Sequence, residues 1–128
     1  MSALDYCKLI RNELVACETL LGSWDPNDFD DMADAFNELG FSKTLQPIEA
    51  VDTWLNETCL EVIVLKSDDG SRVRVEILRT CGGPRCEINR SSDDGEVIEI
   101  TTYDGTDQAT IRDQYPNLAN YFDEIWGQ

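Results

Sequence analysis

The chain has 128 residues, with 26 acidic and 10 basic side chains and no histidine, for a formal charge of −16 at pH 7. A single domain of this length buries roughly two-thirds of the surface its unfolded chain exposes, and an apolar fraction of 41% supplies a core. Such a polyanion is repelled by nucleic acid and by anionic membrane surfaces, while the missing histidine removes the commonest general base and metal ligand, so neither catalysis nor a cofactor is expected.

Residues 2–21 are predicted to form a helix: Ser2 and Asp5 make a capping box, and Tyr6, Ile10, Leu14, Cys17 and Leu21 recur at spacings of three and four. Gly22 stops it. Asp25 as N-cap and Pro26 at the first helical position open a second helix over 26–39, with Phe29, Met32, Ala33 and Phe36 as its apolar stripe. A third helix, over 47–55, starts at Pro47 and turns Ile48, Val51 and either Trp54 or Leu55 inward.

From Thr58 the apolar period falls from 3.6 to 2. Strands are predicted at 58–66, 71–79, 85–90 and 96–102, joined by turns at Asp68-Asp69-Gly70, Cys81-Gly82-Gly83-Pro84 and Asp93-Asp94-Gly95. In the second strand Val73, Val75 and Ile77 face a core while Arg72, Arg74 and Glu76 face out. A short helical segment is expected after Thr106 through Tyr115. Pro116 then opens a final helix, 116–126, that buries Leu118, Phe122 and Ile125 or Trp126. The order gives one α+β domain over 1–128: N-terminal helices, a four-stranded antiparallel β-meander, and a C-terminal helix packed on one sheet face.

No run approaches the roughly 18 apolar residues of a membrane span, and Met-Ser-Ala-Leu-Asp-Tyr lacks the basic and apolar regions of a signal peptide. A cytoplasmic protein is expected. Five scattered cysteines, Cys7, Cys17, Cys59, Cys81 and Cys86, read as small buried hydrophobes rather than as a disulfide framework. The Cys81 to Cys86 spacing fits neither a redox Cys-x-x-Cys motif nor a zinc site, though a hairpin disulfide remains open. Asp25 to Asp31 lacks the glycine and the fifth ligand of a calcium loop.

The charge is segregated. Between Arg11 and Lys43 stand Glu13, Glu18, Asp25, Asp28, Asp30, Asp31, Asp34 and Glu38 without a base. Residues 66–90 hold six bases and four acids, a local charge of +2 that leaves −18 on the remainder. Asp31, Asp34 and Glu38 follow one another by three and four residues beside Asp30, opposite the apolar stripe, at axial steps of about 4.5 to 6 Å. Phosphates step by about 3.4 Å along a DNA strand. A second acidic tract comprises Asp93, Asp94, Glu96, Glu99, Asp104 and Asp107, with no base until Arg112. Trp24, in the connection between the acidic helices, is either a partner anchor or a staple between them. Solvated surface and adaptation to high salt are the plainer readings of the same charges.

In composition and charge layout, though in no diagnostic motif, the chain resembles the nucleic-acid-mimicking inhibitors of phages and mobile elements, of the anti-CRISPR and anti-restriction type. The resemblance implies a non-enzymatic inhibitor that presents Trp24, Asp25, Asp28, Asp30, Asp31, Asp34 and Glu38, with the 93–107 tract, to a protein partner with a basic nucleic-acid-binding groove. It implies no direct contact with nucleic acid or membrane, and no metal or cofactor. A nuclease-toxin immunity protein and an acidic secretion chaperone are the alternatives, and either a monomer or a homodimer fits.

Overall fold

The computed structural model describes residues 2–22, 29–41, 46–71, 73–80 and 84–126, with the side chains of residues 29–32 and of Thr80 outside that description. The elements run α1 (Ala3–Leu21), α2 (Phe29–Glu38), α3 (Pro47–Thr58), β1 (Glu61–Lys66), β2 (Val73–Thr80), β3 (Arg85–Ser91), β4 (Val97–Asp104), β5 (Asp107–Gln114) and α4 (Pro116–Trp126). The sheet is an antiparallel meander of five strands in sequence order.

Local chemistry explains the starts and stops. At α1 the Ser2 hydroxyl accepts from the Asp5 N–H at 3.2 Å while the Asp5 carboxylate accepts from the Ser2 N–H at 3.0 Å, so the capping box is complete. Both groups would otherwise be orphan donors of the first helical turn. The α1 face that packs inward is Ala3, Cys7, Ile10, Leu14, Cys17 and Leu20, with Tyr6 and Leu21 at its margin. Gly70 and Gly95 take φ of 71° and 57° in the two Asp-Asp-Gly turns, where a side chain would be strained.

Three expectations need correction. The segment after Thr106 is a strand, not a helix. It pairs Ile111 with Ile100 and Thr110 with Thr101, whose hydroxyls lie 3.0 Å apart. Gly105-Thr106, with Gly105 at φ 62°, is the two-residue hairpin turn that feeds it, so the sheet has five strands rather than four. Residues 58–60 do not open β1, because α3 runs on to Thr58, whose hydroxyl donates to the Trp54 carbonyl at 2.6 Å. Finally, α3 is rotated so that Ala50, Val51, Trp54 and Leu55 are all buried, and Ile48 points outward at 48% exposure.

The core lies between one sheet face and the helices. Val73, Val75 and Ile77 of β2, Cys86 and Ile88 of β3 and Ile98 and Ile100 of β4 meet α1, α3 and α4 there. Ile77, Ile88 and Ile100 stand side by side across three strands. At the C-terminus Trp126, rather than the exposed Ile125, turns in and stacks obliquely on Phe122 with ring centres 5.5 Å apart. Cys7, Cys17 and Cys86 are buried and Cys59 is half-buried, while Cys81 lies outside the described residues.

Candidate functional site

The second helix packs on α1 through buried Ala35 and Phe36. Beside this seam runs an open groove of about 340 Å³, walled by Asn12, Val15, Ala16 and Thr19 of α1 and by Asp34, Ala35 and Glu38 of α2. Asp34 and Glu38 are one helical turn apart and therefore neighbours on the same face. Both are exposed, and neither forms a hydrogen bond or ion pair among the described residues. They flank the packing face of α2 rather than standing opposite it. The groove thus combines a narrow apolar strip with two uncompensated carboxylates. The alkyl stem of a lysine or arginine can lie along Val15, Ala16 and Ala35 while its cation reaches Asp34 or Glu38.

Other members of the same acidic segment have different fates. Asp30 and Asp31 belong to α2 by backbone, with side chains outside the described residues, and Trp24, Asp25 and Asp28 lie outside them altogether. Glu13 and Glu18 are turned to internal work. Glu18 accepts from the backbone N–H groups of Asn117 and Leu118 at 3.0 and 2.9 Å, capping α4 where its dipole favours an anion. Glu13 accepts from the Trp54 indole N–H at 3.1 Å and pairs with Arg79, joining α1, α3 and β2.

The 93–107 tract does not form one patch. A strand extends about 3.3 Å per residue, so the ends of β4 stand about 23 Å apart, with Asp93, Asp94 and Glu96 at one end and Asp104 and Asp107 at the other. Asp93 accepts from the Ser91 hydroxyl, Asp94 pairs with Arg112, and Glu99 lies 3.9 Å from the same guanidinium. Asp107 accepts from the Ala3 N–H at 2.9 Å, an anion at the first turn of α1. Glu96 and Asp104 are exposed and have no such partner among the described residues.

The cations of the sheet are also spoken for. Arg74 pairs with Glu76 at 3.1 Å, Arg85 with Glu87 at 2.8 Å, Arg90 with Asp123 at 2.9 Å, and Arg79 and Arg112 with Glu13 and Asp94. The exposed pairs at Arg74, Arg85 and Arg112 add little stability. They do neutralise the basic region, so the described part of the hairpin offers no free basic surface of arginines. Arg72 lies outside the described residues.

A further acidic hollow at the β1–β2 turn is explained by the turn itself. The Asp69 carboxylate accepts from the Ser71 hydroxyl and N–H at 2.7 and 3.0 Å and from the Ser67 hydroxyl at 2.7 Å. These bonds, those from Ser71 foremost, hold its pKa down at about 2 against an ordinary 3.8. A depressed folded pKa means that the turn's contribution is complete above about pH 4 and is lost as pH falls through about 2. Carboxyl-carbon NMR should therefore place Asp69 near pH 2, and Ser71→Ala, which removes the hydroxyl bond but keeps the backbone N–H and the Ser67 hydroxyl, should raise it part of the way toward 3.8. A native midpoint near 3.8 would show that the turn does not hold the carboxylate.

Among the described residues no cluster of cysteine, aspartate and glutamate side chains is arranged to hold a metal ion, and no helix is long and apolar enough to cross a membrane. No protein-family model matches the chain, and no curated protein or solved structure matches it.

Proposed function

We propose that the protein is a non-enzymatic, cytoplasmic inhibitor that binds the basic nucleic-acid-binding surface of a host defence complex, of the anti-CRISPR or anti-restriction type, by presenting carboxylates where phosphates would lie. The observation that carries this reading is the pair Asp34 and Glu38: exposed, without an ion pair among the described residues and set beside an apolar strip, in a chain whose described sheet arginines are neutralised from within. Two surfaces of opposite potential associate quickly, and the release of bound counterions favours the complex as it does for DNA itself.

The test is competition. Purified effector and restriction complexes are loaded with labelled nucleic acid and titrated with the protein in rising salt. Displacement that weakens with salt is expected. Asp34→Lys with Glu38→Lys should weaken it at least tenfold and leave the melting temperature unchanged or raised, because the net charge moves from −16 to −12 and the self-repulsion of the folded chain falls. Unchanged displacement by the double variant removes the groove from the site. Failure to displace nucleic acid from any complex, with tight binding to a nuclease toxin instead, replaces the proposal with the immunity-protein reading.

A further inference from the structure

The first strand of the sheet is exposed in a way the last is not. Among the described residues β1 pairs with β2 along one side only, and its outer side over residues 61–65 leaves alternate backbone N–H and C=O groups without sheet partners there. Its sequence, Glu-Val-Ile-Val-Leu-Lys, is apolar throughout its middle. Leu60 is 63% exposed and Leu65 50%, and even Val64, on the face that carries the core in β2 through β4, is 36% exposed. The cause is the placement of the helical layer, since α1 packs over β4 and β5 at the far side of the sheet. The opposite edge, β5, is guarded by Asp107, Arg112 and Asp113. Charged edges resist pairing, whereas a bare apolar edge invites it.

We propose that β1 pairs antiparallel with β1 of a second copy of this chain, joining two five-stranded sheets into one continuous sheet across a two-fold axis. Such an axis sets one residue of the strand opposite itself. Centred on Ile63, it brings Val62 against Val64 of the second copy and Glu61 against Leu65. Centred on Val64, it brings Ile63 against Leu65 and Val62 against Lys66. Neither register sets like charges opposite each other, so the strand is self-complementary. Charge favours the same edge. Two chains of −16 repel, yet β1 and β2 carry Glu61, Lys66, Arg74, Glu76 and Arg79, the last paired with Glu13, so this side of the sheet is close to neutral. Approach along β1 therefore meets less repulsion than approach along the acidic helix α2.

Sedimentation equilibrium of the full chain from about 10 to about 200 µM tests this, a range suited to a modest interface. The weight-average mass should rise from 14.5 kDa toward twice that value, and further at high salt, where the mutual repulsion is screened. Val64→Lys with Leu65→Lys should raise the dissociation constant at least tenfold, and Asp34→Lys with Glu38→Lys should leave the dimer intact, which separates this proposal from the inhibitor reading. A mass of 14.5 kDa across the whole range overturns it, as does dimerisation of the β1 double variant with the affinity of the unmodified chain. Should that variant fail to fold, amide exchange decides: protection of β1 must rise with concentration. Protection that appears only when a target protein is added assigns the edge to a partner's strand instead.

Discussion

Replacing Asp123 with alanine is expected to destabilise the protein by about 2–3 kcal/mol and to lower its melting temperature by roughly 10 °C. The reason lies with its partner. Arg90 is only 4% exposed and points from β3 into the helical side of the sheet. Its Nε and Nη2 donate to the two Asp123 carboxylate oxygens at 3.1 and 2.9 Å, and Nη1 donates to the Val97 carbonyl at 3.2 Å. Without the carboxylate, a buried guanidinium keeps a single carbonyl. A wholly enclosed pair broken in this way costs about 3–5 kcal/mol, but the Asp123 side chain is 38% exposed, so water takes over part of its role. Asp123→Asn keeps the shape and loses the charge, and should fall between alanine and the unmodified protein. Arg90→Met combined with Asp123→Ala should cost clearly less than the two single changes added together. Urea unfolding monitored by tryptophan fluorescence measures all four. A loss below about 0.5 kcal/mol for Asp123→Ala would show that the buried charge is satisfied without its carboxylate.

How far such features are legible in the sequence depends on how local they are. The capping box at Ser2 and Asp5, the glycines at 70 and 95 and the Pro116 start of α4 are each decided within a few residues, and each stands where the spacing puts it. Strand β5 is the opposite case. Its only inward apolar residues, Ala109 and Ile111, give no period by themselves, and polar neighbours imitate a helix surface. The pairing of Ile111 with Ile100 makes it a strand, and that contact is written in β4. One local signal did mark it: Gly105, at the first position of the two-residue hairpin loop Gly105-Thr106.

The same distinction runs through the charges. Alternation places Arg90 on the face of Cys86 and Ile88, so a core-facing arginine is visible in the sequence, but nothing near it names Asp123 as its partner. The α2 carboxylates are legible from their spacing of three and four, whereas the apolar wall that makes Asp34 and Glu38 part of a groove comes from Val15, Ala16 and Thr19 on another helix. Val15, half-exposed between Asn12 and Thr19, was the available sign that α1 has a second working face. The 93–107 tract reads as continuous only because a sequence hides the extension of a strand. Counting carboxylates therefore overstates the free acidic surface: Glu13, Glu18, Asp94 and Asp107 are structural, and what remains is smaller and more definite.

Glu13 should prove the most costly of these structural acids to alter. It accepts from Trp54 of α3 and pairs with Arg79 of β2, and both members of the ion pair are mostly buried, with side chains 15% and 16% exposed. Trp54 itself is among the largest fully buried side chains, so its indole N–H has no alternative acceptor in water. Glu13→Gln keeps an acceptor for the indole and removes only the charge, leaving Arg79 uncompensated, and is expected to cost about 3 kcal/mol. Glu13→Leu removes both interactions and should cost about 1 kcal/mol more. Arg79→Met leaves a carboxylate still held by Trp54 and should cost about 2 kcal/mol. The double variant Glu13→Gln with Arg79→Met replaces a buried ion pair by an amide and a thioether of similar volume, and is expected within about 1 kcal/mol of the unmodified protein. The coupling is the decisive quantity. If the double variant loses the sum of its single losses, Glu13 and Arg79 act independently, and their ion pair adds nothing to the joint between α1, α3 and β2.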